Sequence, residues 1–219
     1  ALLLATRDDD GRTLSAREVR DQVVTFIVAG HETVASALTW AWDLLATHPD
    51  AAERLRAEVD ALDGPPSFDD LSRLPYAAAV MDETLRLYPP AWVITRRALE
   101  DDVLGGVPVA ANSLVIVSPW LVHRHESQWE RPEEFDPDRF LTADGVRRRE
   151  VVASAAYIPF GAGPRLCIGR DMALLEGALV LASLARAVTF FAVQDSPRPV
   201  PLVTIRPDGG LPLRVRMRR

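Results

Sequence analysis

Cys167 is the only cysteine among 219 residues, and its neighbours narrow what it can do. It lies in PFGAGPRLCIGRDMALLE, residues 159–176, among Gly161, Gly163 and Gly169, with Arg165 before it and Arg170 after it. An apolar, helix-forming run follows directly. A sulfur just ahead of a helix N-terminus meets the positive end of the helix dipole and unpaired backbone N–H groups, and the arginines add to that field. Such surroundings favour an anionic sulfur, which is a nucleophile or a metal ligand. The glycines permit a tight loop and let a flat group approach the backbone. A nucleophile needs a base, and this stretch has no histidine. The plain alternative, a buried small hydrophobe, sits poorly with three flanking glycines and an arginine two residues away.

Four other stretches carry candidate chemistry. AGHET, Ala29 to Thr33, falls mid-way along a long helical pattern. Gly30 removes a side chain there, and the Thr33 hydroxyl can bond a carbonyl one turn earlier, which is expected to distort the helix and open a groove. His31 reads as structural. ETLR, Glu83 to Arg86, sets a carboxylate and a guanidinium three residues apart on one helical face. The surrounding helix is apolar, so the pair is expected to be buried and to need a third partner, which Arg139 in FDPDRF supplies. Arg96 and Arg97 stand adjacent in a strand-like run, where a one-residue slip exchanges faces. His123 reads as structural or as an anion contact; His123 and His125 have no further ligands clustered with them, so a metal site is not read there.

The stretch around Cys167 resembles a known family. Phe160, Gly163, Arg165, Cys167 and Gly169 resemble the F-x-x-G-x-R-x-C-x-G haem-ligand signature of the cytochrome P-450 haem-thiolate family. The resemblance implies haem b (iron protoporphyrin IX) with the Cys167 sulfur as axial ligand to the iron. It implies that Gly161, Gly163 and Gly169 leave room for N–H groups near the sulfur. Phe160 would pack against the porphyrin, and Arg165 would pair with a propionate. AGHET is similar to the family's A/G-G-x-D/E-T motif, which implies that Ala29 and Gly30 pass over the haem while Glu32 and Thr33 organise proton delivery to bound dioxygen. Glu83, Arg86 and Arg139 would form a salt-bridged support beside the Cys loop. Counting back from Gly106, Arg96 rather than Arg97 is the second propionate candidate, with His123 a weaker one.

These residues need elements to hold them. Ser15 and Glu18 form a capping box that opens a helix, and His48-Pro49 closes it, a rod of roughly 45 Å at 1.5 Å per residue. Shorter helices are expected over 50–62 and 76–88. Strands are expected within 91–118, an irregular and proline-rich stretch over 119–158, a helix from 171, and strands near the C-terminus. A structureless stretch that long is usually functional or organised by a ligand. The fold class is mainly α with small β-sheets, a cytochrome P-450 fold of which residues 1–219 are the C-terminal portion. No motif in the matched span, from about residue 14 to the end, is broken. Family domains are longer, which implies an N-terminal half absent here. The chain by itself is therefore expected to hold haem weakly or to expose an apolar face.

Composition removes other classes. A net charge of −6 argues against a nucleic-acid binder. No apolar run is expected to span a membrane, and no basic-then-apolar leader pattern opens the chain. One cysteine fits a reducing, cytoplasmic setting. The resemblance implies a monooxygenase that inserts one atom of O2 into an apolar small molecule. Electrons would come from a separate redox protein, a ferredoxin or a flavoprotein reductase, because no flavin or iron–sulfur motif is present. Arg147 to Arg149, Arg165 and Arg170 are candidates for its docking surface. The competing readings are a peroxide-using haem enzyme or isomerase, against which Glu32 and Thr33 argue, and a truncated haem-binding remnant without turnover.

Overall fold

A computed structural model describes residues 2–7 and 10–218. A short helix α1 (Leu2–Ala5) leads through a turn to α2 (Ala16–Thr47), the longest element. The capping box that opens α2 is formed from both sides: Glu18 N donates to Ser15 Oγ at 3.3 Å, and Ser15 N donates to Glu18 Oε2 at 2.8 Å. Next come α3 (Pro49–Asp60) and α4 (Pro75–Leu87), each starting on a proline that its first turn tolerates.

Strand β1 (Ile94–Arg97) pairs antiparallel with β4 (Leu114–Val117). Between them lies the hairpin of β2 (Asp102–Leu104) and β3 (Val107–Val109). Its two-residue turn is Gly105-Gly106, both at positive φ, +57° and +84°, the backbone a tight hairpin demands. Short helices α5 (Pro119–Val122) and α6 (Arg149–Val152) lie in the irregular stretch. Helix α7 (Arg170–Ala187) then runs into β5 (Val188–Ala192), which pairs with the last strand, β8 (Leu213–Met217). Strands β6 (Pro199–Pro201) and β7 (Ile205–Pro207) form a further hairpin. β6 is the strand that sequence reading did not anticipate, because its two prolines argue against one.

The core collects where α2, α3, α4 and α7 meet. Ala37, Ala41 and Leu45 of α2 bury against Leu55 and Val59 of α3, Val80 and Met81 of α4, and Leu181 and Ala182 of α7. Only the C-terminal half of α2 takes part. Its N-terminal half presents Val23, Val24, Phe26, Ile27 and Val28 to solvent, each between 41% and 64% exposed. The expected apolar face is there.

The expectation about membrane-spanning length needs correcting at α2. By length and composition this helix could cross a membrane, and most of its apolar stretch is not buried by the rest of the chain. Four of its charges gather at the start, in Arg17, Glu18, Arg20 and Asp21, and only Glu32 and Asp43 interrupt the longer remainder, whose C-terminal end is the core just described.

Two buried carboxylates, Glu83 and Asp82, organise the irregular stretch. Glu83 and Arg86 are both fully buried, and Arg86 donates to both Glu83 oxygens, at 2.6 and 2.8 Å. Arg86 also donates to the carbonyls of His123 (2.9 Å), Pro132 (2.6 Å) and Glu134 (3.0 Å). Arg139 reaches Glu83 Oε1 at 3.3 Å and donates to the carbonyls of Glu130 and Arg131. One step earlier on α4, Asp82 takes two bonds of 2.7 Å from Arg147, and the Tyr157 hydroxyl donates to its Oδ1 at 3.1 Å. Charge-assisted bonds of this kind replace the backbone ladder the segment lacks.

Candidate functional site

The Cys167 loop is shaped by its own backbone. Cys167 N donates to Phe160 O at 3.0 Å, which closes the segment into a ring, and Leu166 N donates to Gly163 O at 3.0 Å within it. Gly161 and Gly163 both sit at positive φ, +72° and +69°, where a side chain would be strained. Gly169 caps α7, and Arg170 N donates to Cys167 O at 3.3 Å, so the sulfur stands just ahead of the first turn of an 18-residue helix. Cys167 is exposed. Leu166 and Ile168, on either side of it, are 40% and 86% exposed. Phe160 is half-buried and anchors the loop to the core. The loop offers a soft sulfur donor on an open surface flanked by apolar side chains, a donor type that suits an iron porphyrin.

Strand β1 approaches this loop. Ile94 Cδ1 would lie 3.6 Å from a Cβ placed on Gly161. Arg96, two residues along, shares the strand face of Ile94, whereas Arg97 shares the opposite one. Both arginines are exposed, as is Arg165.

His123 is different. It is fully buried, Nδ1 lies 3.1 Å from Arg86 O, and Nε2 accepts from Ile158 N at 2.8 Å. Both ring nitrogens are engaged by backbone and none is free for a propionate, so its assignment as a cofactor contact is corrected to structural support. Burial pushes its pKa down to about 4.

On α2, Thr33 Oγ1 donates to Ala29 O at 2.7 Å, the expected bond one turn back. The helix nevertheless stays α-helical from Ala16 to Thr47, without the expected interruption. The same bond occurs at Thr25 and Thr39, so it does not by itself distinguish Thr33. Gly30 is what distinguishes this turn: a Cβ there would have open space within 4 Å. Glu32 turns elsewhere. Its Oε1 accepts from Thr204 Oγ1 and from Arg206 Nη2, both at 2.8 Å, and these two contacts hold its carboxyl below the usual carboxylate range.

Three arginines of the expected basic docking patch have acidic partners in the structure. Arg147 is committed to Asp82, Arg148 to Glu150 at 2.8 Å and Arg170 to Asp171 at 2.9 Å. Exposed Arg149 and Arg165 remain. Sequence reading also missed the Asp82, Arg147 and Tyr157 cluster; the signal available was a second carboxylate beside Glu83 in an apolar helix.

Residues 1–209 match the family model for cytochrome P450. The chain belongs to the cytochrome P450 family. Cyclooctatin synthase of Streptomyces melanosporofaciens is 43% identical over 209 residues, which are 94% of this chain and 43% of that protein. Pentalenene oxygenase of Streptomyces avermitilis is 41% identical over 219 residues, covering 99% of this chain and 48% of the relative. The crystal structure of the cytochrome P450DA heme domain superposes with a TM-score of 0.89 at 35% identity, over the whole of this chain and 48% of that one. This cytochrome P450 chain spans less than half the length of these relatives, and its helix-rich architecture with small sheets is that of the P450 fold.

Proposed function

We propose that residues 1–219 form the C-terminal portion of a haem-thiolate monooxygenase domain that oxidises an apolar small molecule. The observation that carries this reading is the exposed Cys167 on its glycine-built loop ahead of α7. Haem b bound there supplies a thiolate-ligated iron for activating O2. The other roles belong to the chain. Cys167 holds the metal, and Gly161, Gly163 and Gly169 keep side chains away from it. Arg165 and Arg96 are guanidinium partners for the two propionates, and the shared face of Ile94 and Arg96 favours Arg96 over Arg97. Thr33, beside the open space at Gly30, presents a hydroxyl for proton transfer, and Glu32 is the adjacent acid.

Two relatives carry the names pentalenene oxygenase and cyclooctat-9-en-7-ol 5-monooxygenase, an alkene and an unsaturated alcohol. These names and the apolar residues of α2 support an apolar substrate. Electrons come from a separate ferredoxin or flavoprotein reductase, for which exposed Arg149 is a basic contact. A cytoplasmic setting rests on the single cysteine. The exposed run Val23–Val28 supports the further reading that the chain alone retains haem weakly.

The test is spectroscopic. Haem-reconstituted protein, reduced and exposed to carbon monoxide, is expected to show the red-shifted Soret band of a thiolate ligand, and Cys167→Ala to lose it. An unchanged spectrum in the variant would assign the iron to another ligand and end this proposal.

A further inference from the structure

The β6–β7 hairpin is fastened along one edge of α2 by side chains spaced four residues apart. Ser36 Oγ and Trp40 Nε1 both donate to Ile205 O, at 2.6 and 3.0 Å, and both side chains are buried. One turn earlier the row ends at Glu32, which accepts from Thr204 and Arg206 on either side of Ile205. Positions 32, 36 and 40 lie on one helical face, so the hairpin's backbone and its two polar side chains grip a single stripe. The two ends differ in exposure. The Ile205 carbonyl is held in the core, whereas the Glu32 and Arg206 side chains are 29% and 53% exposed. An ion pair in that setting is screened by salt and is the weaker end of the row.

Glu32 is the neighbour of Thr33, yet the Thr33 hydroxyl donates to Ala29 O and the Glu32 carboxylate is committed to the hairpin. We propose that Thr204 and Arg206 are positioning residues for Glu32: they clamp its carboxylate to the β6–β7 hairpin and so set where the acid of proton delivery stands. This rests on the reading of Glu32 as the acid of proton delivery. The charged groups acting on the carboxylate are Arg206 from the hairpin and His31 from α2 itself, with the Thr204 hydroxyl as the remaining donor. All of them favour the ionised form. The clamp is therefore complete above the ordinary carboxylate range and is lost as pH falls through the depressed value of Glu32. The residues before Thr204, Leu202 and Val203, are apolar and 58% and 86% exposed. The turn that carries Thr204 thus also carries an open apolar tip.

The experiment needs no haem. Protein labelled with 13C at the glutamate carboxyl carbons is titrated by NMR, with Glu32→Gln identifying the Glu32 signal. Relative to wild type, the Glu32 midpoint is expected to rise in Arg206→Met and in Thr204→Val, and to stay close to wild type in Arg206→Lys. Should Arg206→Met fail to fold, Thr204→Val carries the comparison. A Glu32 midpoint that is the same in wild type and Thr204→Val overturns the clamp. A second arm uses reconstituted, full-length holoprotein. There, Arg206→Met is expected to shift the pH profile of product formation upward, and Arg206→Lys to restore it. If no variant forms product, the monooxygenase reading fails while the titration still judges the clamp.

Discussion

Arg147 lays its guanidinium across the Asp82 carboxylate with two bonds of 2.7 Å, joining a helix to a loop 65 residues away. Asp82 is fully buried and Arg147 is one-third exposed, so the arginine is the only part of the pair in touch with water. Burial pushes the Asp82 carboxyl up, and Arg147 is the principal opposing influence. Removing one partner of such a pair leaves a buried charge unmatched, at about 3–5 kcal/mol. Arg147→Met is expected to lower the stability measured by urea unfolding by that amount. Arg149→Met, exposed two residues along, is expected to change it by less than about 0.5 kcal/mol. Equal midpoints for the two variants would refute the assignment.

His123 makes a second prediction, in pH. Its pKa falls from 6.5 to about 4 on folding, chiefly through burial. Between those values the unfolded chain binds a proton that the folded chain refuses, so stability rises with pH across the window and is lost as pH drops from 6.5 to 4. The group's share is about 3 kcal/mol. Glu58 and Asp43 are shifted upward by burial and act in the opposite sense. The quantity to measure is therefore the difference between wild type and His123→Asn, unfolded in urea at pH 7 and pH 4.5. The variant is expected to lose less stability on acidification than wild type does. A larger loss in the variant contradicts the buried neutral imidazole.

Gly177 and Met81 supply a packing test. A Cβ on Gly177 would meet Met81 Cε at 2.6 Å and Sδ at 3.0 Å, and Met81 is itself buried, with little room to retreat. Alanine gains about 1 kcal/mol of helix propensity over glycine, but overpacking costs about 1–3 kcal/mol. Gly177→Ala is expected to be destabilising in wild type and neutral or stabilising in a Met81→Ala background. A thermal-melt double-mutant cycle with no coupling between the two sites would show that α4 and α7 do not meet there.

The exposed run Val24, Ile27 and Val28 predicts dye binding. The isolated chain is expected to enhance ANS fluorescence, and the triple change Val24→Ser, Ile27→Gln and Val28→Ser to remove most of that signal without moving the melting temperature by more than a few degrees. Undiminished ANS fluorescence in the triple variant would place the apolar surface elsewhere.

Much of this protein was legible before its structure. The capping box at Ser15 and Glu18 and the start of α4 both act across four residues or fewer, so neighbouring side chains suffice to decide them. The Cys167 loop was legible for a similar reason: its ring closes within seven residues, between Phe160 O and Cys167 N. The burial of Glu83 and Arg86 followed from an apolar helix with a charged pair inside it.

Which charges were already committed was not legible. Arg147, Arg148 and Arg149 look alike as a run, and Asp82 and Glu32 look like ordinary helix carboxylates. Their partners stand 65 residues away at Arg147 and 172 away at Thr204. An ionic partner is chosen by which long-range contact excludes water from the charge, and that exclusion exists only once α4 has met the irregular stretch and the β6–β7 hairpin has settled on α2. The sequence by itself determined the donor at residue 167, the helices that frame it and the family. The tertiary structure decided that both ring nitrogens of His123 meet backbone groups, that Arg147 pairs with Asp82 and that Glu32 is held by a hairpin. Local backbone preference and covalent identity act at short range, whereas burial and electrostatic pairing depend on the closed chain.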